Sequence, residues 1–357
     1  MRSGCDARSS SLTASLAVVA FLLATPALAD CPELVGSLPG DGSTTDLAVS
    51  GDYAYLSDSI GSLRVIDVSD PSAPVEVYGG RGQGYHAVAV SEGYAYLGCF
   101  WSFPPSGLGS LIVYDVSTPS APGALGAVTF GGVPVDVAII SGRFAYVAVY
   151  IPELGPGLEV IDVTWPWMPF EICFFPTTGA PTGVAVEDGF AYLAGSDGLT
   201  VIDVSIPPSP LWLAFLDTPD GVRGVAVEDG FAYLAGSDGL RVIDVNEPWG
   251  PFEVGFLATP MPASDVAVSR GYAYVTVGDY FNPGRLCVID VSTPSAPVEV
   301  GSYDTGGIFG GLSGMAVSDG YVFVGNDGVP LDVFRECGSF ADGFESGDTS
   351  AWSATVP

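Results

Sequence analysis

One phrase recurs six times in this chain of 357 residues. It reads LRVIDVSDPSAP at Leu63–Pro74, LIVYDVSTPSAP at Leu111–Pro122 and LEVIDVTWPWMP at Leu158–Pro169. It returns as LTVIDVSIPPSP at Leu199–Pro210, LRVIDVNEPWGP at Leu240–Pro251 and LCVIDVSTPSAP at Leu286–Pro297. A phrase repeated at a near-fixed period means one supersecondary unit copied around an axis or along a line.

The phrase is the third strand of a longer unit. A strand pair precedes it, as in GVAVEDGFAYLAGSD at Gly183–Asp197 and again at Gly224–Asp238. Apolar and β-branched residues there are punctuated by Gly, Asp and Ser, the residues that tolerate the positive φ of tight hairpin turns. A Pro-x-x-Pro stretch then leads to a fourth strand such as Val75–Tyr78 or Val298–Tyr303. Proline belongs at that boundary because it cannot donate to a ladder. Anchored on Ala48, Ala89, Ala138, Ala185, Ala226, Ala267 and Ala316, the units step by 41, 49, 47, 41, 41 and 49 residues. The fold expected is therefore all-β, a seven-bladed β-propeller of four-stranded antiparallel blades.

The seventh unit stops after its third strand, near Cys337. Its missing strand lies at the other end of the chain, where Cys31–Leu38 matches the fourth-strand sequence Ala296–Tyr303. The N-terminal strand is expected to complete the last blade and close the ring, hiding two sheet edges. Cys31 and Cys337 then flank the closure, and a disulfide between them is expected in an oxidising compartment. Cys99, Cys173 and Cys287 are left over, with Cys99–Cys173 a weaker candidate pair. No cysteine or histidine spacing suggests zinc.

The L-x-V-I-D-V phrases, with the preceding A-V-x-x-G-x-A-Y, resemble the LVIVD repeat family of β-propellers. The resemblance runs from Asp30 to Cys337, over six units fully and the seventh in part. It implies a propeller fold and an extracytoplasmic or surface protein of bacteria or archaea. It carries no catalytic signature.

Residues 1–29 read as a secretory signal peptide. Arg2 and Arg8 precede the apolar Leu12–Ala24, and Ala27-Leu28-Ala29 forms a cleavage site. A rival reading is a lipoprotein box ending in Cys31, set against it by Asp30 where Gly or Ala is usual. Residues 30–337 form the propeller and 338–357 an acidic, flexible tail. A bacterial protein secreted or held outside the cytoplasm, with no transmembrane segment, is expected. The chain has 10 basic residues against 41 acidic ones, a net charge of −31, and no lysine. That balance disfavours nucleic acid and anionic lipid, which both require a basic surface.

Three places could carry chemistry. The aspartates of the repeated phrase (Asp67, Asp115, Asp162, Asp203, Asp244 and Asp290) precede turns, where Asp accepts backbone N–H bonds. They read as architecture. The start of each innermost strand differs between units, and there Asp46, Asp136 and Asp265 could gather around one channel mouth and hold calcium. His86 could act as a base there, with Arg223 nearby. Bland alternatives, strand capping and a hydrated channel, stay open. The third place is a set of insertions between second and third strands, Phe100–Ser110, Tyr150–Gly157 and Asp279–Arg285. They bring Trp101, Phe103, Tyr150, Tyr280 and Phe281 to one face, as candidate ligand contacts. The function expected is a monomeric binding or cell-surface interaction module that needs no cofactor. It would recognise a protein, peptide or glycan on that inserted-loop face. Two alternatives remain: a metal-assisted hydrolase or lyase at the channel mouth, and a purely structural surface protein.

Overall fold

A computed structural model describes residues 31–40, 44–58, 63–80, 84–101, 108–151, 155–279, 282–305, 314–326 and 329–338. Residues 1–29, expected to be a signal peptide, the segment beyond Gly338 expected to be a tail, and Phe103, Tyr280 and Phe281 lie outside them.

Seven four-stranded antiparallel sheets form the seven blades, with no helix among the described residues. Blade 1 consists of Thr44–Ser50, Tyr53–Asp58, Leu63–Asp67 and Val75–Gly79, in that spatial order from channel to rim. The hairpins between first and second strands turn through residues with positive φ, such as Asp188 (49°) followed by Gly189 (84°). That pair gives the twist a two-residue hairpin needs. The third strand is the apolar centre of its blade: Leu63, Val65 and Ile66 are buried, as are their counterparts in the other complete repeats except the half-buried Tyr114 of blade 2. Between the Val of this strand and the residue after it, Ile in five blades and Tyr114 in blade 2, the register with the fourth strand shifts by one residue in all six complete repeats. The bulge bends the outer strand away, as bulges do.

The core lies between blades rather than inside any one of them. Seven apolar clusters occupy the seven blade junctions among the described residues. One of them joins Ala87, Tyr96 and Val113 of blade 2 to Val137, Val147 and Ile161 of blade 3. Strands flanked on both faces must be apolar on both faces, which is why the repeats lack simple alternation.

Ring closure follows the expectation. Glu33–Leu38 pairs antiparallel with Leu331–Arg335, with Glu33 opposite Arg335 and Leu38 opposite Leu331. Arg335 Nε donates to Glu33 Oε2 at 3.0 Å. Cys31 and Cys337 form a disulfide with Cα atoms 5.7 Å apart. A cysteine so bonded cannot carry a lipid, so the lipoprotein reading falls. Cys99, Cys173 and Cys287 form no disulfide. No helix of the described residues is long and apolar enough to cross a membrane. The disulfide is compatible with a place outside the cytoplasm.

Candidate functional site at the channel mouth

The innermost strands begin at one end of the channel, on the face that also carries the second-to-third strand connections. A cavity of about 100 Å3 opens there, lined by Asp46, His86, Asp136, Arg223, Ser264 and Asp265 among others. In blades 1, 3, 4, 5 and 6 at least two consecutive positions of the innermost strand reach this one cavity, although strand residues normally alternate between faces. A bulge is the reason. In six blades the pairing of first and second strands skips one residue: Thr45, His86, Val135, Thr182, Arg223 and Ser264. The skipped residue is turned into the mouth beside the one that follows it, as bulges re-aim side chains.

The three aspartates do not converge on a cation. Asp46 Oδ1 accepts the amide of Leu47 at 2.8 Å, and its Oδ2 accepts the amide of Val88, in the next blade, at 2.8 Å. Asp136 takes the amides of Val137 at 2.7 Å and, from blade 4, of Val184 at 2.7 Å. Asp265 takes the amide of Val266 at 2.8 Å and that of Met315 in blade 7. Each carboxylate therefore staples its own blade to the following one. Among the described residues no group of three or more His, Cys, Asp or Glu is placed to hold a metal ion. The aspartates offered to calcium by their spacing are occupied with backbone.

Their number has a steric limit. A Cβ on Gly224 would lie 2.7 Å from Asp265 Oδ1, and one on Gly314 would lie 2.3 Å from the Leu47 nitrogen and 2.6 Å from Asp46 Cα. An aspartate thus needs a small neighbour at the equivalent position of the adjoining blade. Going round the ring the position reads Asp46, Ala87, Asp136, Gly183, Gly224, Asp265, Gly314. A ring of seven holds at most three such residues with none adjacent, and all three places are filled.

Gathering three carboxylates is unfavourable in charge. Burial pushes Asp265 up to about 7, with the charge of Asp136 adding to it. Burial, then the charge of Asp136, holds Asp46 well above the usual carboxylate range, and burial raises Asp136 as well. All three stay partly open to the channel, so water tempers that cost. Burial lowers the pKa of His86, favouring its neutral imidazole. His86 hydrogen-bonds neither Asp46 nor Asp136, so no acid–base pair is assembled around it. Arg223 makes no ion pair among the described residues. The cavity is about a third of the ~300 Å3 at which small-molecule sites begin.

The aspartates of the repeated phrase hold turns, as expected. Asp67 accepts the Ser69 amide at 3.0 Å and its hydroxyl at 2.6 Å. Asp115, Asp162, Asp203, Asp244 and Asp290 accept the amide two residues on at 2.8–3.0 Å. The Ser69 bonds hold Asp67 below the usual carboxylate range.

The insertions differ from expectation in kind. They extend the blade hairpins as ladder, with Phe100 opposite Gly109, Tyr150 opposite Pro156 and Asp279 opposite Asn282. Tyr150 is 45% exposed on one such extension. Trp101 ends the second strand of blade 2.

The largest exposed apolar surface is on the opposite face and rim, where sequence reading placed only scaffold. Eleven of the sixteen exposed large apolar side chains among the described residues fall there, in blades 3, 4 and 5. The signal was present in the repeated phrase itself. Blades 1, 2 and 6 close it with Pro-Ser-Ala-Pro, whereas blades 3, 4 and 5 write Trp-Pro-Trp-Met-Pro, Ile-Pro-Pro-Ser-Pro and Glu-Pro-Trp-Gly-Pro.

Comparison with known proteins gives family and fold. A family model described as the LVIVD repeat matches residues 41–79, 85–129, 178–218, 221–259 and 262–305, more than half of the chain. Blades 3 and 7 fall outside those five stretches, although blade 3 is a complete four-stranded sheet. No curated protein matches. Among solved structures, a functionally unknown protein from Desulfotomaculum acetoxidans DSM 771 superposes with a TM-score of 0.64 at 13% identity, covering 82% of this chain and 96% of its own. The WD40 β-propeller domain of Doa1 gives 0.64 at 12% identity, covering 86% and 97%. The computationally designed Ika8 protein gives 0.60 at 13% identity, covering 85% and 99%. At these identities the likeness is one of fold.

Proposed function

Because this chain belongs to the LVIVD repeat family and folds as a closed seven-bladed propeller, we propose that it is a non-enzymatic interaction module, exported from the cell, which holds a protein or peptide at the envelope. A propeller with LVIVD repeats suits an interaction or structural role at the coarser level. The finer reading rests on one observation: the eleven half-exposed aromatic and aliphatic side chains gathered on the rim and loops of blades 3–5. Soluble monomers rarely leave a large contiguous apolar patch open, and such patches mark docking sites. The channel mouth supports a scaffold role, since its carboxylates are engaged with backbone and its cavity is small. The rigid ring suits recognition because a preformed surface loses little entropy on binding.

Binding of labelled mature protein to whole cells and isolated envelopes of the producing bacterium tests this. Saturable binding, competed by unlabelled protein, is expected. Absence of saturable binding to either preparation would overturn the reading.

A further inference from the structure

The apolar band lies where the loop after each third strand meets the rim. Trp165 and Trp167 stand in that loop of blade 3, their ring centroids 5.3 Å apart. Ile206 occupies the loop of blade 4 and Trp249 that of blade 5; Trp212 is the second residue of the outermost strand of blade 4 and Phe252 the first of that of blade 5. They are 52–68% exposed. Neighbouring loops and rims touch. A Cβ on Gly126, in the outermost strand of blade 2, would lie 2.7 Å from Pro166 O in the loop of blade 3. The thiol of Cys173, in the outermost strand of blade 3, donates to Pro207 O in the loop of blade 4 at 3.6 Å. The exposed side chains of consecutive blades thus stand on adjoining loops and rims. Eleven such residues, each roughly half exposed and many of them rings of 150–250 Å2, offer on the order of 1,000 Å2. One partner of a standard complex buries about 800 Å2.

Charge decides what can cover it. Blades 3 to 5, Val133–Ala258, hold three basic residues: Arg143, exposed in the first hairpin of blade 3; Arg223 in the channel mouth; and Arg241, which is 8% exposed and paired with Asp238 and Glu253. Exposed carboxylates border the band, Glu171 on blade 3, Asp217 on blade 4 and Glu247 beside Trp249. A second copy would bring net charge −31 against −31 and is disfavoured. Resting on the interaction reading above, we propose that this band docks a basic segment of another protein, one that interleaves lysine or arginine with apolar side chains. Its cations would lie over the tryptophan faces and against the bordering carboxylates, and its apolar residues would cover the remainder.

The test uses the oxidised mature protein and two short synthetic peptides, one alternating arginine with leucine, the other glutamate with leucine. Tryptophan fluorescence and calorimetry follow binding at low and high salt. The comparison is with the triple variant Trp165→Thr, Trp167→Ser, Trp249→Ser. Blades 1, 2 and 6 already carry Ser at the second and third of these positions, and blades 2 and 6 carry Thr at the first. The fold accommodates these residues, and thermal unfolding verifies it. The arginine peptide should bind wild type, weaken about tenfold in the variant and weaken again as salt screens the carboxylates. The glutamate peptide should not bind. Equal binding of both peptides, no binding of either, or binding unchanged in the variant overturns the proposal. So does a concentration-dependent dimer in sedimentation, or a bound neutral oligosaccharide, that the variant loses. If the variant still binds envelopes as wild type does, the band is refuted while the interaction reading stands. Loss of all envelope binding in wild type removes the interaction reading itself.

Discussion

Glu159 occupies the variable position of the repeated phrase in blade 3 and is 2% exposed. The same position holds Arg64 in blade 1 and Arg241 in blade 5, which pair with Glu76 and Glu253 of the adjoining outermost strand. Blade 3 retains the strand-four carboxylate, Glu171, but sets a second carboxylate against it. Glu159 Oε2 has no hydrogen-bond partner among the described residues. Burial, and then the charge of Glu171, pushes Glu159 from 4.5 up to about 8. The folded state therefore binds its proton more tightly than the unfolded chain does. The resulting stability is fully present below about pH 4.5 and is lost as pH rises towards 8. At ~1.4 kcal/mol for each tenfold in proton affinity, about 3 kcal/mol is gone by pH 7 and about 5 kcal/mol above pH 8. Glu159→Gln keeps the shape and removes the titration. Urea unfolding of both proteins from pH 4.5 to 8, with the disulfide intact, isolates this group, since the channel aspartates titrate in both. The stability of the variant relative to wild type should climb by about 3 kcal/mol between pH 4.5 and 7. A difference that stays constant with pH would refute the reasoning. Glu159→Arg should stabilise at neutral pH as well, by rebuilding the pair seen in blades 1 and 5.

Calcium added to chelator-treated protein should leave Tm unchanged, since Asp46, Asp136 and Asp265 hold backbone amides; a rise of several degrees that Asp46→Ala abolishes would reinstate the cation site. Replacing Cys31 and Cys337 together by Ser opens a closure spanning 306 residues and should cost about 6 kcal/mol in the chain-entropy account, read as a lowered urea midpoint. Gly224→Asp would place a fourth carboxylate against Asp265 and should lower Tm sharply, whereas Ala87→Gly at an aligned position should be mild; equal effects would contradict the spacing rule.

The blades, their count, the strand order and the borrowed N-terminal strand were all legible in the chain. Each was read by matching copies of one unit, so sevenfold copying averages out local ambiguity and exposes even the strand borrowed from some 300 residues away. The Cys31–Cys337 bond was legible for the same reason, as both cysteines sit at fixed places in one copied unit. The site was legible only in part. The differing positions Asp46, His86, Asp136, Arg223 and Asp265 do line one cavity. Their roles were not readable, because a bulge breaks the two-residue alternation there and the partners of the aspartates belong to the next blade, some 40 residues away. The apolar band was written in the Trp-Pro-Trp and Glu-Pro-Trp variants of the phrase. In sequence they stand about 80 residues apart within a motif that reads as scaffold. The ring sets them two blades apart on one rim, with Ile206 and Trp212 of blade 4 between, and burial against neighbours decides which rings are core and which face outward.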